Sequence, residues 1–245
     1  MNDRLERRLL GIGLAAWALG FNAIFAWLGA VFDYPDILRR PPGEVLTAFT
    51  AGGPGLIVIW YGFTLCAALF VPLGILLARR EQTGLGGWHQ TAVLLAVLAG
   101  TVQAIGLSRW VFAVPVLADA HARGDAGAAT AFLAMHQVLG TGLGEHAGQF
   151  LTAAWTALFA VVQWRTRRPW LGAAGMLAAL LILAELPEHL STVLPVPGAE
   201  WIGLSTVVGY VVFSLWLLAM GIGLVRARTA TGLGSSASPP TSAIG

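Results

Sequence analysis

Along the chain, long apolar runs alternate with short polar connections, and the lengths of the runs set the first expectation. A short charged N-terminus leads into an apolar run over 9–32, and further runs occupy 54–78, 90–114, 141–164, 170–190 and 201–225. Each approaches the ~20 residues with which a helix crosses the hydrocarbon of a bilayer. Together they predict an all-α polytopic membrane protein: a bundle of six transmembrane helices over 1–228, then a disordered Ser/Pro/Gly tail over 229–245. The first run is too long for a signal-peptide core and lacks a small-x-small cleavage site, so it reads as an uncleaved span.

Helix breakers refine this pattern. The segment from Asp33 to Gly53 contains D-Y-P-D and R-R-P-P-G-E and reads as a structured external loop, with Pro54 placed to open the second span. Pro72 predicts a kink near the end of that span, and Pro115 an end or bend in the third. Pro187 should bend the end of the fifth and free the carbonyl of Leu183. Asp125 predicts a cap for a helix running through His136 into the fourth span. Asn22 and Gln103 are placed to hydrogen-bond neighbouring helices, and His89 sits at a water boundary.

Composition excludes the soluble class. Charged residues are 11% and apolar residues 57%, against ~25% charged in a soluble domain, and the mean hydropathy is +0.75. All fourteen basic residues are Arg, and the formal charge of +2 gives no dense basic face for nucleic acid. The partner this composition implies is the lipid bilayer. Cys66, the single cysteine, lies in an apolar run and reads as a small buried hydrophobe. Ten of the fourteen arginines flank the N-terminus, the second-to-third and fourth-to-fifth connections and the tail, which predicts cytoplasmic N and C termini. T-G-L-G recurs at Thr83, Thr141 and Thr231, but nothing around it repeats, so no inverted repeat of the transporter type is expected.

With that topology, the polar ends of spans three, four and five meet at one depth near the outer boundary. Arg109, Glu145, His146 and Glu185 are expected to line an externally open ligand pocket, with Gln149 below and His136 above, and with Glu188 and His189 converging on it. His136 should stand ~13 Å above Glu145 at the rise of an α-helix. Ionisable groups at this depth are costly and point to function. One reading is a divalent metal such as zinc held by His146, Glu188 and His189, with Glu145 as the catalytic base of a metal-dependent hydrolase. Adjacent residues point ~100° apart on an α-helix, so Glu145-His146 and Glu188-His189 could converge only through tertiary packing. A second reading is the polar pocket of a small transporter or sensor subunit. A structural alternative makes Arg109 a snorkelling anchor beside Trp110, or half of an ion pair with Glu145 or Glu185. Haem is disfavoured, since C-x-x-C-H does not occur. Gly140, Gly144 and Gly148 mark one helical face for close packing, either inside one bundle or between two copies as a homo-oligomer.

Four segments carry a family resemblance: W-Y-G-F at 60–63, V-P-L-G at 71–74, L-A-G-T-V-Q-A-I-G-L-S-R-W-V-F-A-V-P-V-L-A at 98–118 and H-Q-V-L-G-T-G-L-G-E-H-A-G at 136–148. With them the chain resembles the bacterial multi-pass membrane family called domain of unknown function four-three-eight-six, over most of its length. The resemblance implies a place in the bacterial inner membrane and draws attention to Arg109, His136, Glu145 and His146. It supplies no activity and no substrate.

Overall fold

Backbone polar groups inside lipid must be satisfied within the chain, and the apolar runs accordingly form helices. The computed structural model describes residues 3–191, 194 and 199–227, with side chains of the last segment from residue 205 onward. Helix α1 spans Asp3–Phe32, and a 3-10 turn at Asp36–Arg39 leads into α2, Pro42–Arg80. A single helical turn, α3 (Gln82–Leu85), precedes α4 (His89–Phe112), α5 (Val114–Ala122) and α6 (Gly127–Met135). A π-helix over His136–Ala147 then runs directly into α7, Gly148–Arg165. Next come α8 (Pro169–Ala184), a 3-10 turn at Glu188–Leu190 and α9 (Ala199–Arg226). No strand occurs among the described residues.

Five segments among the described residues are long and apolar enough to cross a membrane: Asp3–Phe32, Pro42–Arg80, Gln82–Ala122, Pro169–Leu190 and Ser205–Arg226. Helix α7 is not among them. It carries Gln149, Thr152, Thr156 and Gln163, all buried, so its polarity faces the interior of the bundle.

The helices close into a ring. α1 packs on α2 and α9, α2 on α4, α4 on the π-helix and α7, α7 on α8, and α8 on α9. Small residues set several of these contacts. Gly11 meets Gly221 between α1 and α9, Gly74 meets Ala96 between α2 and α4, and Gly172 meets the Ala160 carbonyl between α8 and α7. Arg80 pairs with Asp3, and Arg168 lies 3.9 Å from Glu81. The start of α1, the α2–α4 connection and the α7–α8 connection therefore share one end of the bundle. Two apolar clusters fill the interior, one around Trp155, Phe159, Phe213 and Trp216, the other around Phe49, Trp60, Trp110 and Phe132. In the second, Trp60 and Trp110 stack with centroids 4.6 Å apart.

Several sequence expectations need correction. The segment from 42 onward is helix rather than loop: prolines at its first turn lack only donors that a helix start leaves unpaired anyway. The break falls at Gly53 alone (φ 59°, ψ −163°), while the dihedrals stay helical through Pro72. Asn22 donates to the Ala18 carbonyl of its own helix at 2.8 Å and not to a neighbour. Other expectations correspond to the structure. Pro115 opens α5, Asp125 Oδ1 accepts from the Gly127 N–H at 2.8 Å, and Gln103 Nε2 donates to Thr152 Oγ1 at 2.8 Å. Cys66 is buried. The tail over 229–245 lies outside the described residues.

Candidate functional site

Arg109, in the last turn of α4, is 4% exposed and does not snorkel. Its Nη1 donates to the Gly106 carbonyl at 2.6 Å, and its Nη2 lies 3.4 Å from His136 Nδ1 and 3.9 Å from Glu145 Oε1. The guanidinium carbon stands 5.2 Å from the centroid of the Trp110 ring. A side chain at Gly140 would collide with this group, since a Cβ there would come within 2.5 Å of Nη2. Gly140 thus leaves the space in which Arg109 lies.

Gly144 presses on the backbone of Gly106, and Gly148 makes room for Gln103. All three glycines of the stripe face α4 of the same chain. The π-helix matters here because each turn closes between i and i+5 and so takes more residues than an α-turn. The segment consequently advances less per residue, and His136 does not stand clear above Glu145 as an α-helical rise would have it. His136 is buried, stacks on Phe132 at 5.4 Å and shares the Arg109 guanidinium with Glu145. Since it faces an N–H donor, His136 Nδ1 is the acceptor nitrogen of a neutral ring.

A second group forms where α8 ends. The α-helix stops at Ala184, and in the turn that follows, Glu185, Glu188 and His189 offer ligand atoms within 4.8 Å of one another. Leaving the α-helix is what lets the adjacent Glu188 and His189 converge, contrary to the divergence expected from helical spacing. His189 Nε2 lies 4.0 Å from Glu185 Oε2 and 3.9 Å from Glu145 Oε2. Glu145 therefore joins the two groups, one oxygen toward Arg109 and the other toward His189. His146 stands edge-on to His189 with ring centroids 5.7 Å apart and is not part of the Glu185, Glu188 and His189 group. Of the expected ligand set, Glu188 and His189 come together, and Glu185 stands with them.

Arg39, absent from the expected site, comes from the α1–α2 connection. Its Nε donates to Glu188 Oε1 at 3.0 Å, and its Nη2 lies 2.9 Å from the same oxygen and 3.9 Å from Glu185 Oε1. The sequence signal was its position, for it is one of the four arginines that lie apart from the clusters holding the other ten. Tyr34, also in that connection, packs edge-on against Trp60 at 5.3 Å and Phe63 at 6.0 Å. Burial raises its phenol above the ordinary tyrosine value, so it remains a neutral hydroxyl.

These groups surround a cavity of about 410 Å³. One wall, from α1, α2 and α9, is aromatic: Phe21 contacts Trp17 at 5.1 Å, Phe63 at 5.2 Å and Tyr210 at 5.6 Å. The other, from α4, the π-helix, α7 and the end of α8, carries Arg109, Glu145, Gln149 and Glu185. Gln149 Nε2 donates to Glu185 Oε2 at 3.0 Å, while Gln149 Oε1 is buried without a partner among the described residues.

A helical ring with five segments apolar enough for a membrane, and with charged side chains gathered at one end of its interior, belongs to the class of helical-bundle membrane proteins. The chain matches the family described as a domain of unknown function, DUF4386, over residues 10–221, and belongs to it. No curated protein and no solved structure matches the chain.

Proposed function

We propose that this is a multi-pass protein of the bacterial inner membrane that binds a small ligand or ion in the cavity between the aromatic and polar walls. In this reading the π-helix and α7 form a further span, giving six. Both termini then lie in the cytoplasm, and the Arg39 end of the cavity faces outward. The observation that carries the proposal is the loose pairing of the polar groups around the cavity. Glu145 stays 3.9 Å from the Arg109 guanidinium and 3.9 Å from the His189 ring, and Glu185 stays 4.0 Å from that ring. Buried charges are costly unless closely paired, so groups held just beyond hydrogen-bond distance around a cavity suit an incoming ligand better than a structural lock. The test is a single cysteine at Thr206, which lines the cavity, in a Cys66→Ala background. A membrane-impermeant maleimide added outside intact cells should label it. Labelling only after the cytoplasmic face is opened would reverse the outward mouth, and no labelling from either side would reject an accessible pocket.

The convergence of Glu185, Glu188 and His189 favours a second reading, a metal-dependent hydrolase. A zinc ion on those donors would activate water, with Glu145 as base and His146 beside His189. Arg39 already contacts Glu188 and Glu185 as a positive charge, which ranks this reading second. Elemental analysis of untagged, detergent-purified protein decides it. Near-stoichiometric metal, lost in His146→Ala/His189→Ala, supports the hydrolase, whereas metal-free protein in both cases rejects it.

A further inference from the structure

The cavity is asymmetric in a way that specifies its occupant. Three carboxylates, Glu145, Glu185 and Glu188, line it together with Arg39, Arg40 and Arg109. Arg40, however, is taken by Asp33 outside the cavity. Among the described residues, three carboxylates and two guanidiniums not taken up elsewhere therefore face the cavity, so its acidic groups outnumber its basic ones by one. The most buried carboxylate of the three, Glu185, is 6% exposed and is oriented by Gln149. A carboxylate only accepts, so Gln149 turns its amide nitrogen to Glu185 and leaves Oε1 as a buried acceptor without a donor. Gln149 is itself 5% exposed. A carboxylate beside an orphaned carbonyl oxygen calls for a group that is both positively charged and an N–H donor.

The opposite wall states the rest of the ligand. Trp17, Phe21, Phe63 and Tyr210 form a continuous aromatic surface, which favours a flat apolar body and attracts a cation placed over its rings. At about 410 Å³ the cavity is in the ~300–1,000 Å³ range of small-molecule sites. It is larger than a lone metal ion needs.

Resting on the ligand-pocket reading above, we propose that the cavity binds a lipophilic protonated amine. The ammonium N–H groups donate to Glu185 and to Gln149 Oε1, and the apolar body lies against Trp17, Phe21, Phe63 and Tyr210. The amine supplies the missing positive charge. Phenylalkyl amines are the simplest members of this class.

Equilibrium dialysis of the purified full-length protein at pH 7 tests the proposal with four probes of similar size. These are 2-phenylethylamine, which is protonated at that pH, the N–H-free cation benzyltrimethylammonium, neutral 2-phenylethanol and anionic phenylacetate. Saturable binding in the order phenylethylamine, then benzyltrimethylammonium, then the neutral and anionic probes is expected. Glu185→Gln should weaken phenylethylamine about tenfold, the usual effect of losing one hydrogen bond to a charged group, and leave phenylethanol unchanged. Gel filtration of that variant verifies its fold. Preferential binding of phenylacetate or phenylethanol would overturn the amine and keep the ligand pocket. Equal, non-saturating uptake of all four, together with an unlabelled Thr206→Cys, would overturn both. If benzyltrimethylammonium binds as tightly as phenylethylamine, the acceptor role assigned to Gln149 Oε1 and Glu185 is wrong and the proposal fails in that form.

Discussion

At Gly106 the backbones of α4 and the π-helix touch. A Cβ added there would lie 2.7 Å from Gly144 Cα and 2.8 Å from the Leu139 carbonyl, and backbone atoms cannot swing aside as a flexible side chain can. Gly106→Ala should therefore cost about 1–3 kcal/mol, the usual penalty of overpacking a tight contact, and it should loosen the seat of Arg109, whose Nη1 bonds the Gly106 carbonyl. Gly20 in α1 provides the contrast, since nothing lies within 4 Å of a Cβ placed there. Gly20→Ala should leave the melting temperature in detergent unchanged or slightly raised, because alanine is the better helix former. A Gly106→Ala protein that melts with wild type would mean that the two segments do not meet as described. The small residues of the stripe were legible as a packing face. Their partner was not, because spacing along one helix shows which positions share a face and never which helix lies opposite.

At the scale of the element, α2 and the π-helix show where proline and glycine signals succeed and fail. Pro72 was the visible kink signal in α2, yet the dihedrals depart from helical values only at Gly53. Proline removes one donor and crowds the preceding turn, but inside a bundle the freed carbonyl can be accommodated without a break. Gly53, with φ 59° and ψ −163°, occupies a region that only glycine enters easily. Gly53→Ala should cost about 1–3 kcal/mol through backbone strain, whereas Pro72→Ala should stabilise α2 or leave it unchanged. Thermal unfolding of the two variants side by side checks the pair, and a more damaging Pro72→Ala would reverse the assignment of the break. The π-helix was not legible at all. Its sequence reads as an α-helical stripe of glycines, and only the i to i+5 closure brings His136 and Glu145 to one guanidinium. Arg39 was missed for a related reason, since an irregular connection has no period from which to predict its direction.

For the whole molecule, the helical runs were readable because lipid leaves a chain no other way to satisfy its backbone. The one long helix that composition sets apart is α7, whose buried Gln149, Thr152, Thr156 and Gln163 belong to the interior. The ring closure carries the larger consequence. It puts Arg80 and Arg168 at the end where α1 begins, and it puts Arg39, Glu185 and Glu188 at the other. If the positive-inside bias governs insertion, the end with Arg80 and Arg168 is cytoplasmic and the acidic mouth of the cavity faces out. Alkaline phosphatase, active only outside the cytoplasm, should then be active when inserted at the exposed turn at Gly124 between α5 and α6. A fluorescent protein that matures only in the cytoplasm should glow when fused at the C-terminus. The two reporters check each other, because three spans between Gly124 and the C-terminus put the two sites on opposite sides of the membrane. Phosphatase activity at the C-terminus with none at Gly124 would turn the bundle over, and the ligand would have to reach Glu185 and Gln149 from the cytoplasm. Activity of the phosphatase at both sites would instead mean an odd number of spans, with α7 or another polar helix failing to cross.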